Sequence, residues 1–197
     1  MARSAVETLG TLREARRYKN LFLFLVAFWF YNDAINTVIK MALVYGSDVG
    51  IEQKDMIIAL LGVQFVGFPA AWIYGRIAVK AGRKRMLMAS IAAYALVVFY
   101  GAFMRSSFDF YVLALVVALF QGGIQAISRS FFAGLVPAGQ SARFFSFYNV
   151  GAHFSTLLGP VAVGWIGYAV GNPRAGILVL EVFLVAGALV LGRVKEE

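Results

Sequence analysis

Residues 21–45, LFLFLVAFWFYNDAINTVIKMALVY, form a nearly unbroken apolar run with polar groups set inside it. As a helix rising about 1.5 Å per residue it reaches roughly 37 Å, enough to cross a hydrocarbon core of about 30 Å with some tilt. Yet the run holds Asn32, Asp33, Asn36, Thr37 and Lys40. At about 100° per residue, Asn36, Lys40, Asp33 and Thr37 fall within an arc of roughly 100° on one face. A charge at bilayer depth is costly, so such groups turn toward a bundle interior or a watery cavity. That polar face is the first functional clue.

Composition agrees with a membrane chain: 61% of residues are hydrophobic and 14% charged, where soluble domains carry about a quarter charged. The excess of 18 Lys and Arg over 10 Asp and Glu would suit nucleic acid, but the basic residues flank apolar segments and do not cover a folded face. Nucleic acid is therefore not an expected partner. With no Cys and a single His, disulfide, thiolate and most metal-site chemistry is excluded, and no cofactor is expected. The run after Lys19 leads into Tyr-Asn-Asp and not into a small-residue cleavage site, so a removable signal is not expected.

Five further apolar segments lie near 55–77, 86–104, 110–135, 144–170 and 175–193, joined by short connections rich in helix breakers. The expected fold class is an all-α membrane protein of six transmembrane helices. Residues 1–20 form a basic cytoplasmic lead and residues 21–195 the six-span domain. Six spans put both ends on one side. That side holds Arg3, Arg13, Arg16, Arg17 and Lys19 in the lead, then Arg76, Lys80, Arg83, Lys84 and Arg85, then Arg143, Arg193 and Lys195. Only Lys54, Arg105 and Arg174 lie opposite, which predicts cytoplasmic termini.

Span four repeats the pattern of span one: Gln121, Gln125, Ser128 and Arg129 share an arc of roughly 100°. In span five, Asn149, His153, Thr156, Pro160, Gly164 and Gly167 recur at steps of three and four, and Gly159-Pro160 predicts a kink. Spans three and six, Glu181 apart, carry only small or apolar residues across their middles and read as supports against lipid. Spans one and four hold equivalent places in two sets of three, which points to a three-plus-three repeat.

The connection after span two runs from Gly75 through Val79, Lys80, Gly82, Arg83 and Lys84 to Arg85. It resembles the signature loop of the major facilitator superfamily, with Val79 standing where that family has Asp. Tyr31-Asn32-Asp33, Gln125 to Ser130 with its Ser-Arg-Ser element, and Phe144 to Tyr148 leading to Gly159-Pro160 resemble the autophagy-related vacuolar effluxer group of that superfamily, in its carboxy-terminal six-span half. The resemblance runs from about residue 12 to 193 and is most specific at Ser128-Arg129-Ser130. It implies half of a twelve-span carrier, with residues 1–20 where the central connection would lie. It further implies spans one and four at the cavity, span five beside it, and spans three and six peripheral. Fungal members of the group are associated with amino-acid release from the vacuole.

Each polar residue has a functional and a plainer reading. Asp33 is a charge-coupling or substrate-amine group, or else a structural partner of Lys40 or Arg129. Arg129 is a fork for a carboxylate, or a clasp on helix-end carbonyls. Lys40 is a site residue or a snorkelling one. Gln121 and Gln125 bond a solute or join helices. Asn149 and His153 are secondary candidates, a satisfied bundle histidine being the plainer case. Glu181 carries no expected transport role. Arg83 to Arg85 set orientation and meet anionic lipid headgroups.

The resulting expectation is a secondary carrier, not an enzyme, moving a small polar solute by alternating access, with proton coupling through Asp33. Its partners are the solute, the lipid bilayer of a prokaryotic plasma membrane, and an amino-terminal six-span half or a second copy forming a homodimer. The rival readings are a non-transporting membrane module or an inactive piece of a larger permease. A membrane enzyme is disfavoured, because no nucleophile–base or metal-ligand spacing occurs within a span.

Overall fold

The computed structural model describes residues 18–137 and 139–195, which leaves residues 1–17 of the basic lead outside the described part. The described residues contain seven helices: α1 (Lys19–Asp48), α2 (Gln53–Ala81), α3 (Arg83–Ala102), α4 (Ser107–Leu135), α5 (Ser141–Phe154), α6 (Leu158–Val170) and α7 (Pro173–Gly192). No strand occurs among them. With α5 and α6 taken as one interrupted span, six segments are long and apolar enough to cross a membrane. They match the six expected segments, so the chain is an all-α membrane protein.

Helix ends follow local chemistry. Gly82, at φ 92°, ends α2 and at once starts α3. A side chain is strained at that φ, so the signature-loop glycine makes the turn within one residue. The α4 start has a capping box: Asp109 N–H donates to the Ser106 hydroxyl, while the Asp109 carboxylate accepts from Ser106 N–H. Asn172 caps α7 by accepting from Arg174 N–H, with Pro173 in the first turn, where its missing N–H costs nothing.

The interruption in span five lies at residues 155–157, one turn earlier than the expected kink at Gly159-Pro160. Pro160 lacks the N–H that would bond Thr156, and helices tolerate proline best within their first turn. The chain therefore restarts a helix with Pro160 in its opening turn and does not bend an unbroken one.

Span one is the centre. α1 touches each of the other six described helices and lies chiefly along α7. α2 packs along α4, α6 along α7, and α3 along both α4 and α7. Span six thus leans on span one as span three leans on span four, and spans three and six meet between the two sets, the relation a three-plus-three repeat requires. Spans three and six present outward apolar faces, through Leu96 and Phe99 and through Val182 and Leu189. They also enclose span one from behind, and spans two and five are the least covered. An aromatic cluster ties spans one, four and five together, with ring centroids 4.3 Å apart for Phe28 and Tyr148 and 4.8 Å for Phe132 and Tyr148.

Candidate functional site

Three consecutive residues of α1 face three different neighbours, because 100° of rotation separates each from the next. The Tyr31 hydroxyl lies 2.7 Å from the Ser128 hydroxyl on α4. Ser128 donates its own proton to the Ile124 carbonyl at 2.7 Å, so Tyr31 is the donor between the two. Both are almost wholly buried. The first serine of the Ser-Arg-Ser element therefore locks span four to span one.

Asn32, buried to 2% exposure, is the hub of a polar node. Its amide donates to the Ser155 hydroxyl at 2.9 Å and toward the Ala152 carbonyl at 3.4 Å, both in the span-five break region. Its Oδ1 accepts from Gln125 at 3.1 Å and from Asn36 at 2.9 Å. Asn36 also donates to the Asn32 backbone carbonyl at 2.7 Å. Spans one, four and five are thus joined by amide and hydroxyl chemistry through one side chain. Asn36 and Gln125 remain partly exposed, so they present the node outward.

Asp33 sits apart from this node. It is 1% exposed, and its carboxylate has no side-chain hydrogen-bond partner among the described residues, its polar neighbour being the Gly159 backbone. It lies against Gly159 near the start of α6; a Cβ at Gly159 would fall 3.0 Å from Asp33 Oδ1 and collide with Thr37 Oγ1. The positive end of a helix is a favourable neighbour for a carboxylate. The Thr37 hydroxyl is likewise buried without a partner among the described residues. Lys40 is exposed, and the expected structural pair with Asp33 does not form a hydrogen bond. Arg129 is exposed as well, beside Tyr148 and away from any bond to Asp33.

The remaining candidates scatter. Gln121, one turn from Gln125, lines a largely apolar cavity between spans one to four, with Val38, Ala42, Val98 and Val117 among its walls, and stands outside the node. His153 bonds through Nδ1 to the Asn149 backbone carbonyl at 2.7 Å, which places its proton on Nδ1; both residues are exposed. The periodic face expected on span five is not the one that meets span one. Gly164 faces open space, whereas the close approaches come from Gly151 to Trp29 and Gly159 to Thr37. The break resets the helical phase, so spacing counted across it does not describe one face. Glu181 is half-buried, with Oε1 unpartnered among the described residues.

The signature loop acts as a clasp. Arg83 donates to the Ser130 carbonyl at 3.1 Å, holding the end of the Ser-Arg-Ser element, and Lys84 donates to the Gly192 and Val194 carbonyls at 2.9 and 2.6 Å. Gly75 and Lys80 are exposed, as is Val79 at the position of the family's Asp. Sequence reasoning missed Ser155 and Trp29. A serine beside a glycine-rich stretch carries no distinctive signal, and Trp29 becomes informative only once its unpartnered indole N–H is seen.

The sequence profile of the family described as vacuole effluxer Atg22 like matches residues 1–197. The chain is 40% identical over 187 residues to the uncharacterized MFS-type transporter YxiO of Bacillus subtilis, covering 95% of this chain and 44% of that protein. It is 29% identical over 202 residues to autophagy-related protein 22 of Cryptococcus neoformans, covering 94% of this chain and 37% of that protein. With the protein of the same name from Yarrowia lipolytica it shares 29% over 191 residues, or 90% and 32% of the two chains. The chain spans less than half the length of these relatives. Six apolar spans, the Tyr31–Ser128 and Asn32–Gln125 bonds between spans one and four, and a profile match along the whole length agree: the chain belongs to the Atg22-like vacuole effluxer family of major-facilitator transporters.

Proposed function

We propose that this chain is the carboxy-terminal half of a secondary transporter that moves a small polar solute, amino acids among the candidates, by alternating access. The observation that carries the reading is the node centred on Asn32, which joins spans one, four and five while leaving Asn36 and Gln125 partly open. Broken helices and convergent polar groups at a repeat interface are the usual means by which carriers hold a solute. Asn32, Asn36 and Gln125 orient the solute, Arg129 meets an anionic group, Gln121 borders the path on its apolar side, and Asp33 carries the coupling charge. Lys40, Asn149 and His153 are exposed in this half and face the second wall of the pathway.

That wall comes from an amino-terminal six-span half or from a second copy. A cavity face carrying Lys40 and Arg129 is too costly to leave against acyl chains. The distribution of Lys and Arg supports placing both termini in the cytoplasm.

Counterflow of labelled amino acids into proteoliposomes tests the reading. The chain joined by its amino-terminal half exchanges solute, and Gln125→Leu abolishes exchange while the protein still folds. Unchanged exchange in Gln125→Leu would remove the node from the pathway. A second reading, a membrane module without transport, is favoured by one observation: Asn32, Asn36, Gln125 and Ser155 satisfy one another and so act as packing glue. It predicts that the same variant lowers thermal stability and that no solute exchanges under any pairing.

A further inference from the structure

Residues 155–157 interrupt span five, and two consecutive residues of α1 hold the two sides of that break. On one side the Asn32 amide donates to the Ser155 hydroxyl at 2.9 Å. On the other, the polar neighbour of the Asp33 carboxylate is the backbone of Gly159, the second residue of α6. This end of α6 has no cap of its own. Leu157 precedes it without a side chain that can accept a hydrogen bond, and Pro160 stands in its first turn without an N–H. A carboxylate buried without a side-chain partner among the described residues therefore meets a helix start without a side-chain cap. Glycine permits the approach, since a Cβ at Gly159 would fall 3.0 Å from Asp33 Oδ1. The Thr37 hydroxyl, one turn along α1, lies against the same glycine.

We propose that Asp33 caps α6 from the neighbouring helix, and that its charge decides whether the second half of span five stays docked on span one. An ionised carboxylate is drawn to the partial positive charge of the free N–H groups at a helix start, and little water is present at this depth to screen it. A protonated carboxyl keeps only a neutral and weaker acceptor. α6 lies mainly along α7 and touches α1 only lightly, so apolar packing on α1 does little to replace the lost attraction. Protonation therefore frees α6 from α1, with the break as the hinge, while the Asn32–Ser155 bond, which does not titrate, keeps α5 in place. No other charge takes over this role. Lys40, two turns along α1, is exposed; α6 has only Tyr168 as a titratable group, at its far end. His153 of α5 is exposed and bonded to the Asn149 carbonyl, Arg129 of α4 is exposed beside Tyr148, and Glu181 of α7 turns to the Phe99 backbone of α3. The charged residues of α2 and α3 lie toward their ends. The inference rests on the proposed function in taking Asp33 as the coupling charge, and it adds the element to which that charge is coupled.

Distances between spin labels on the chain in lipid nanodiscs test the latch. One pair, Val44→Cys with Tyr168→Cys, joins exposed positions of α1 and α6; the other, Lys19→Cys with Ser141→Cys, joins exposed positions of α1 and α5. From about pH 9 to about pH 5, a range in which a carboxylate and a histidine can both titrate, the first distance lengthens and the second does not. The expected change is at least ~2 Å, the scale of helix shifts at packed interfaces. Asp33→Asn, neutral and of the same shape, gives the acid-form distance at both pH values. His153→Gln keeps the full response. An equal Val44–Tyr168 distance at both pH values in the otherwise unaltered chain, a response that survives Asp33→Asn, or an equal lengthening of both pairs would overturn the proposal. The distances are read without flux. A chain whose solute exchange depends on Gln125 but whose α6 ignores Asp33 would sink the latch alone, and a moving α6 without exchange would sink only the transport reading.

Discussion

Asn32 shows why one amide can matter more than several charges. Its side chain bonds groups on three spans, so its loss strands Gln125, Asn36 and Ser155 together. Asn32→Ala is expected to cost about 1–3 kcal/mol of stability, the scale of leaving buried polar groups unpaired. Asn149→Ala, at an exposed position, is expected to change stability by less than about 0.5 kcal/mol. Thermal unfolding of both variants in the same detergent reads the difference. Gly159 is a second sensitive residue, since a methyl group there meets the Thr37 hydroxyl and crowds Asp33. Gly159→Ala is expected to lower the melting temperature, and Thr37→Ala added to it to restore part of the loss. No recovery in the double variant would show that the methyl group is accommodated elsewhere.

Among the elements, span five is the one whose interruption shapes the site. The break puts the Ser155 hydroxyl on the Asn32 amide and brings the Gly159 backbone up to Asp33. Restoring the missing N–H with Pro160→Ala is expected to let a continuous helix compete with the break. The natural absence of cysteine makes this measurable with spin labels on cysteines placed at Ser141 and Tyr168. The expected result is a longer label-to-label distance in Pro160→Ala; an unchanged distance would mean that packing against α1 and α7, and not proline, maintains the break. At the other end of the bundle, Lys84 holds two carbonyls at the end of α7. Lys84→Ala is expected to speed amide hydrogen exchange in residues 188–194 and to leave α1 protected.

For the whole molecule, the testable property is how the six spans sit in the bilayer. A cysteine at Glu52, in the first connection, is expected to react with an impermeant maleimide in intact cells, and one at Lys195 only after permeabilisation. The opposite pattern would invert the orientation derived from the Lys and Arg distribution. The least covered spans, two and five, carry large exposed side chains including Phe68, Trp72, Trp165 and Tyr168. Such faces suit lipid or a second half equally well, so the exposed cations Lys40 and Arg129 are what argue for a second protein wall.

The number of spans and their limits were legible in the sequence because both depend on short-range properties: apolar length against bilayer thickness, and glycine, proline and capping residues at the ends. The importance of Tyr31-Asn32-Asp33 was legible too, since polar groups inside an apolar run must find partners somewhere. Which partners was decided by tertiary structure alone. Helical periodicity placed Asp33 and Asn36 on one face, yet the neighbouring spans divide that face, taking Asn36 into the node with Asn32 and Gln125 and setting Asp33 against Gly159 of span five. In span four the same division puts Gln121 against apolar walls, and in span five the break makes spacing count for nothing across it. Rotation within a helix is a local quantity; which helix stands opposite, and where a helix is interrupted, depends on contacts between residues about a hundred positions apart, such as Tyr31 with Ser128 and Asn32 with Ser155.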